Sequence, residues 1–303
     1  MDKNIIEGSN INNLNLYWPI YKNLEKDVID LTNNIYFTDN QLGVYSIHIV
    51  ELIIRSSTEL ESIAKDIYRR EVGKDPSKPG DCFCWFDEQW NISKKQIVIT
   101  TPYFYFRKSY KPAFAPFDYN SSDDEKIENY SERKDFYSMY NSIKHDRVKN
   151  ISKANINILI RVMAALYLLN VYYLNKLIPI ANSGFNCEVI PEIINLDSIL
   201  FGVRVFHTPR DETFDEIEKC VYYACNTPEF EAINEIFKKK VKISAPEGFD
   251  LGYPPLTIEE VELLISRFQH LKDIIDTKID LDLLMTTFPN RINLRLNTKI
   301  WKK

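Results

Sequence analysis

The sequence predicts a mainly α protein. It reads as a helical bundle over residues 1–180 with a β-containing insertion at about 81–119, then a small α+β region over 181–303. Three observations predict this. Apolar residues recur at helical spacing over 15–35, 41–72, 134–149 and 153–178. Glycine is scarce, 8 in 303 residues, which suits helices and disfavours glycine-rich phosphate loops. The texture changes after Ala181, where shorter apolar runs alternate with proline and glycine.

The first helix opens near Asn15, with Pro19 tolerated in its first turn. The second is long, with Val44, Ile47, Leu52, Leu60, Ile63, Ala64 and Ile67 on its apolar side. Gly73, Pro76, Pro79 and Gly80 mark a break. Gln96–Thr100 is β-branched and strand-like. After it comes an aromatic and cationic run, Thr101–Phe114. Here Tyr103, Phe104, Tyr105 and Phe106 stand beside Arg107, Lys108 and Lys111. Such a run either stacks bases and holds phosphates or forms a hairpin whose alternate aromatics cover the core. Asn120–Glu132 is acidic and reads as an exposed loop. Ser152–Ile178 is the last long helix, ended by Pro179; Arg161 on it either faces a site or reaches the surface. In the C-terminal region Ser198–Phe206 and Arg291–Leu296 read as strands, and 214–224 and 229–239 as short helices. Thr257 with Glu260 is a capping box opening another helix.

At 45% hydrophobic and 27% charged residues, the composition is that of a globular chain. A net charge of -5 argues against broad nonspecific nucleic-acid binding and leaves room for a local basic patch. No secretory signal opens the chain, and its longest apolar run, Val162–Leu169, is too short for a membrane span. These features predict a cytoplasmic protein without a membrane partner. Five irregularly spaced cysteines predict free thiols. No ligand set has zinc spacing, so no metal and no cofactor is expected.

The densest chemistry lies in Tyr140–Arg147, Tyr-Asn-Ser-Ile-Lys-His-Asp-Arg. Asn141 and His145 are four apart and share a helix face, with Lys144 at its border. Arg147 is two positions beyond His145, so an unbroken helix points it away. The two share a site only if the helix ends or bends near Asp146, or if a second subunit supplies one of them. An imidazole moves protons near neutral pH, and cations stabilise charge on a phosphate. That set suits RNA cleavage by the ribose hydroxyl without a metal. The plainer alternative is a buried polar pair that fixes helix packing.

Asn141, then Lys144-His145-x-Arg147, then the apolar run "ANINILIRVMAALYLLNVYYL" resembles the HEPN-like all-α superfamily of bacterial toxin, abortive-infection and phage-defence proteins. The upstream "RSSTELESIAKDIY" is similar to an earlier helix of that fold. The resemblance spans about Asn15–Ile178. It implies a homodimer, or a partner protein of a defence system, and a metal-independent endoribonuclease. His145 would be general acid/base, Arg147 and Lys144 would hold the phosphate, and Asn141 would orient His145. Further RNA contacts would fall to Arg107, Lys108, Lys111 and Arg161. Catalytic members carry an arginine four to six residues before the histidine, and no arginine here stands at that spacing. The departure opens a second expectation: a non-catalytic HEPN-like module that binds RNA, a nucleotide or another protein.

Overall fold

A computed structural model describes residues 15–118, 141–143, 146–180, 190–206, 214–228, 230–233, 235–236, 257–267 and 292–298. The chain divides into two compact units. The first holds Met1–Lys176, Glu192–Tyr222 and Leu296–Lys303; the second holds Leu177–Pro191 and Tyr223–Arg295.

In the first unit three long helices follow the predicted periodicity: α1 (Tyr17–Leu31), α2 (Ile47–Val72) and, after the central stretch, α5 (Ile156–Leu174). The side chain of Ser46 caps α2 by accepting from the Ile49 N–H at 3.2 Å, and Gly73 ends it at φ 77°, where only glycine is unstrained. Leu52, Ile53, Leu60, Ile63 and Ile67 of α2 are fully buried against α1 and α5. Asn155 caps α5, accepting from the Ile158 N–H at 3.2 Å. Of the helices described, α5 alone is long and apolar enough to cross a membrane. It is 83% buried inside the protein, so it is a core helix.

The expectation of a mainly α, HEPN-like helical bundle is corrected by the strands, which form sheets and make the fold mixed α/β. Strand β1 (Phe37–Thr38) pairs in parallel with β3 (Phe104–Tyr105), and the Phe37 and Phe104 rings stack at 4.9 Å. Strand β2 (Ile97–Ile99) pairs antiparallel with β6 (Phe201–Phe206). The other edge of β6 takes β5 (Ile193–Ile194), also antiparallel. The apolar content of β6 is the physical reason: Phe201 and Val203 are fully buried, and Phe201 lies against Tyr167 of α5. A sheet face thus completes the core that a bundle would close with another helix.

Two local departures have their own causes. Helix α3 (Pro79–Trp90) begins where a break was expected. Proline lacks an N–H that the first helical position does not use, and the Asp81 carboxylate accepts from the Lys78 N–H at 3.0 Å. Residues 214–224 are helical only over α6 (Phe214–Lys219); β7 (Tyr222–Asn226) follows. Asn297 terminates α6, its amide donating to the carbonyls of Ile217 at 2.7 Å and Cys220 at 3.0 Å.

The second unit contains β4 (Ile178–Ile180) paired antiparallel with β8 (Ile292–Leu296). It also contains α7 (Ile258–Arg267). The capping box is present: the Thr257 N–H donates to Glu260 at 2.8 Å, and the Glu260 N–H donates to the Thr257 hydroxyl at 3.3 Å. The helix expected at 229–239 lies partly outside the described residues.

Candidate functional site

The central stretch is described at 141–143 and from Asp146 onward. Asn141 is half-buried and Ile143 is in the core. Lys144 and His145 lie outside the described residues, as does the side chain of Arg147. The backbone meets the geometric condition set by the sequence. The Asp146 N–H closes the preceding turn on the Ser142 carbonyl at 3.0 Å. Asp146 itself has left helical geometry, at φ -147° and ψ 82°. Its carboxylate then caps a new short helix, α4 (Arg147–Asn150), by accepting from the Lys149 N–H at 3.2 Å. Arg147 therefore does not continue the helix that carries Asn141.

Arg161 is committed to structure. Its guanidinium donates to the carbonyls of Asp118 at 3.2 Å and Ala115 at 3.4 Å. One helical turn away, the Asn157 side chain accepts from the Tyr110 hydroxyl. Burial pushes the Tyr110 phenol far up, with the Arg161 charge pulling it back only partly. These bonds tie the aromatic run to α5.

That run alternates as strand geometry requires. Phe104 and Phe106 point into the core, while Tyr103 and Tyr105 are 42% and 57% exposed. Arg107, Lys108 and Lys111 are all exposed. The alternate phenylalanines cover the core as expected, but β3 pairs in parallel with β1 rather than forming a hairpin. The exposed tyrosines do not stand alone. Tyr36, 68% exposed, reaches Tyr105 edge to face with ring centroids 6.3 Å apart. Together with Tyr103 and the turn Thr32–Ile35 they line an open groove of about 380 Å³. Asn33 and Asn34, both exposed, are among its lining residues.

Asp39 holds the run in place. Its carboxylate accepts from the backbone N–H groups of Arg107 at 2.7 Å, Ser109 at 2.8 Å and Lys108 at 3.3 Å. Those bonds, the one from Arg107 first, pull its pKa far below the ordinary carboxylate range. The cationic end of the run is therefore anchored by its backbone, with the Arg107 and Lys108 side chains left at the surface.

Sequence reasoning named Tyr103, Tyr105, Arg107 and Lys108 but missed Tyr36, Asn33 and Asn34. The available signal was slight: an aromatic beside a helix-ending Thr-Asn-Asn turn. Among the described residues no group of three or more His, Cys, Asp and Glu could hold a metal. Among the described residues Cys82, Cys84, Cys220 and Cys225 form no disulfide.

Fold and site together define a mixed α/β protein with an exposed tyrosine groove, followed in sequence by the exposed cations Arg107 and Lys108. No family model, no curated protein and no solved structure matches the chain.

Proposed function

We propose that this protein is a binding module for single-stranded RNA, with the tyrosine groove as its contact surface. The observation that carries the reading is the convergence of Tyr36, Tyr103 and Tyr105 on one groove, with Arg107 and Lys108 exposed directly after it. Exposed aromatic faces take unstacked bases, and adjacent cations hold the phosphates between them. The asparagine amides offer both donors and acceptors to base edges and to the ribose 2′-hydroxyl. A duplex hides its base faces and cannot use such a groove. This reading puts the protein in the cytoplasm, where RNA and free thiols coexist. The Lys-His-x-Arg stretch supports a setting in a bacterial toxin or phage-defence system, beside a second copy or a partner protein. Tyr105→Ala is expected to weaken binding of a fluorescent single-stranded RNA by about 5- to 150-fold, the value of one base–aromatic stack. Titration by fluorescence anisotropy reads this. An unchanged affinity would remove the groove from the site.

A second reading, metal-independent cleavage of the bound RNA, is favoured by the helix break at Asp146. The break frees Arg147 from the helical register that would turn it away from His145. In that reading His145→Ala removes cleavage in the presence of EDTA and leaves RNA affinity intact. Undiminished cleavage by the folded variant would exclude His145.

A further inference from the structure

A second concavity in the first unit is lined by the other face of the aromatic run and by Ile99 at the end of β2. Its volume is about 270 Å³. That is just under the range of pockets for drug-sized ligands, about 300–1,000 Å³, and suits a single ring system. Tyr103 and Tyr105 line the groove, while Phe104 and Phe106 line this pocket. The two concavities therefore lie back to back on one extended segment. Arg107 and Lys108, both exposed, stand in the chain between Phe106 and Ser109, two of the pocket's lining residues.

The walls are aromatic. Phe104 meets Phe106 edge to face with ring centroids 5.9 Å apart, and Phe106 meets Tyr110 in the same way at 5.2 Å. Tyr110 has a left-handed backbone, φ 62°. A bulky side chain rarely adopts that conformation, and such outliers cluster at ligand sites. Its hydroxyl is committed to Asn157, so it offers the pocket its ring. The polar lining is one-sided. The Thr101 oxygen accepts from the Tyr103 N–H at 3.3 Å, which leaves its O–H to donate. The Ser109 hydroxyl is bonded to Asp39. Lys111 is exposed and carries only N–H donors. No carboxylate is among the described lining residues. The polar side chains left for a ligand therefore donate, and a flat ring with exocyclic carbonyl oxygens matches them. Uracil carries O4 where cytosine carries an amino group, and guanine carries O6 where adenine carries one.

We propose that this pocket takes one keto nucleobase, uracil or guanine, from the single strand held in the tyrosine groove, and so gives the protein a base preference. The inference rests on the RNA-binding reading. Fluorescence anisotropy of the full chain with four decamers tests it: all adenosine, or adenosine with one central uridine, guanosine or cytidine. At least one of the uridine and guanosine strands is expected to bind about ten-fold or more tightly than both others, the discrimination of one good base contact. Lys111 is exposed, so Lys111→Met should fold as the wild type does, which circular dichroism checks. The variant should bring the ratio of keto-strand to all-adenosine affinity to about one. A ratio that stays at the wild-type value, with or without a loss shared by all four strands, makes Lys111 at most a phosphate contact and overturns the proposal. Equal binding of the four strands by wild type, or preference for the cytidine strand, overturns the pocket and leaves the groove standing. Absence of binding to every strand overturns the groove reading and this proposal with it.

Discussion

Glu25→Ala is expected to destabilise the first unit by about 3–5 kcal/mol, the usual cost of breaking a buried, hydrogen-bonded charge network. Glu25 is 1% exposed on α1, yet its carboxylate is saturated with donors. Its Oε1 accepts from the Ser198 hydroxyl at 2.6 Å and from the backbone N–H groups of Ile199 at 2.8 Å and Leu200 at 3.0 Å. Oε2 accepts from the Lys22 ammonium at 2.5 Å. The Tyr21 hydroxyl adds a contact at 3.1 Å. This carboxylate pins the chain entering β6 to α1. Alanine would leave buried N–H and O–H groups without their acceptor. The thermal midpoint should fall on the order of 10 °C. Burial pushes the Glu25 pKa up, but Lys22, Ser198 and the Leu200 N–H pull it down further, so it ends below its ordinary value of 4.5. In the window between the lowered value and 4.5 the unfolded chain binds more protons than the folded one. The stability from Glu25 is therefore complete above about pH 4.5 and is lost as pH falls through the lowered value. Glu25→Gln should flatten that acid limb in chemical denaturation curves. A midpoint unchanged by Glu25→Ala would show that the network carries no stability.

Lys95→Met should have the opposite sign. Lys95 is fully buried, and its ammonium donates to the Cys220 carbonyl at 3.2 Å. Burial drives its pKa from 10.5 to about 7, with Cys220 and Glu218 opposing the shift and Lys94 adding to it. Between about pH 7 and 10.5 the folded protein holds Lys95 neutral while the unfolded chain holds it charged. Stability then rises with pH across that window, and the cost of the buried group is complete below about pH 7. Methionine fills a similar volume without a charge. The Cys220 carbonyl keeps a donor, because the Asn297 amide also reaches it at 3.0 Å. Lys95→Met is expected to gain on the order of a few kcal/mol at pH 6–7, with the gain shrinking toward pH 10. Urea denaturation at a series of pH values measures it. A variant with the wild-type pH slope would show that Lys95 is not the titrating group.

Elements set by local pattern were legible in the sequence. The periodicity of Leu52, Ile63 and Ile67 gave α2, the β-branched Gln96–Thr100 gave β2, and Thr257 with Glu260 gave the start of α7. What was not legible depends on distant partners. The pairing of Phe37 with Phe104 joins segments separated by the whole of α2, α3 and β2, and nothing in either segment names the other. Pro79 was read as a breaker because its effect depends on whether it falls inside a helix or at its first position. Glu25 reads as an ordinary exposed helix residue until Ser198–Leu200 is placed over it. The same applies to the candidate sites. The alternation of Tyr103 to Phe106 was visible, but Tyr36 joins it only through the β1–β3 pairing. Arg204, Gln96 and Glu216 become partners only in the folded protein. The bend at Asp146 was stated as a condition before the backbone supplied it.

The groove account is tested most directly by comparing one RNA sequence as a single strand and as a duplex, against wild type and the Tyr36→Ala/Tyr105→Ala variant. Both tyrosines are largely exposed, so the variant should fold as the wild type does. The account predicts that wild type prefers the single strand at least ten-fold. Its salt slope should be about -2, the value for some three phosphate contacts to a single strand. The double variant should lose that preference and most of the affinity. Equal affinity of wild type for strand and duplex, or full retention of single-strand binding by the double variant, would contradict it.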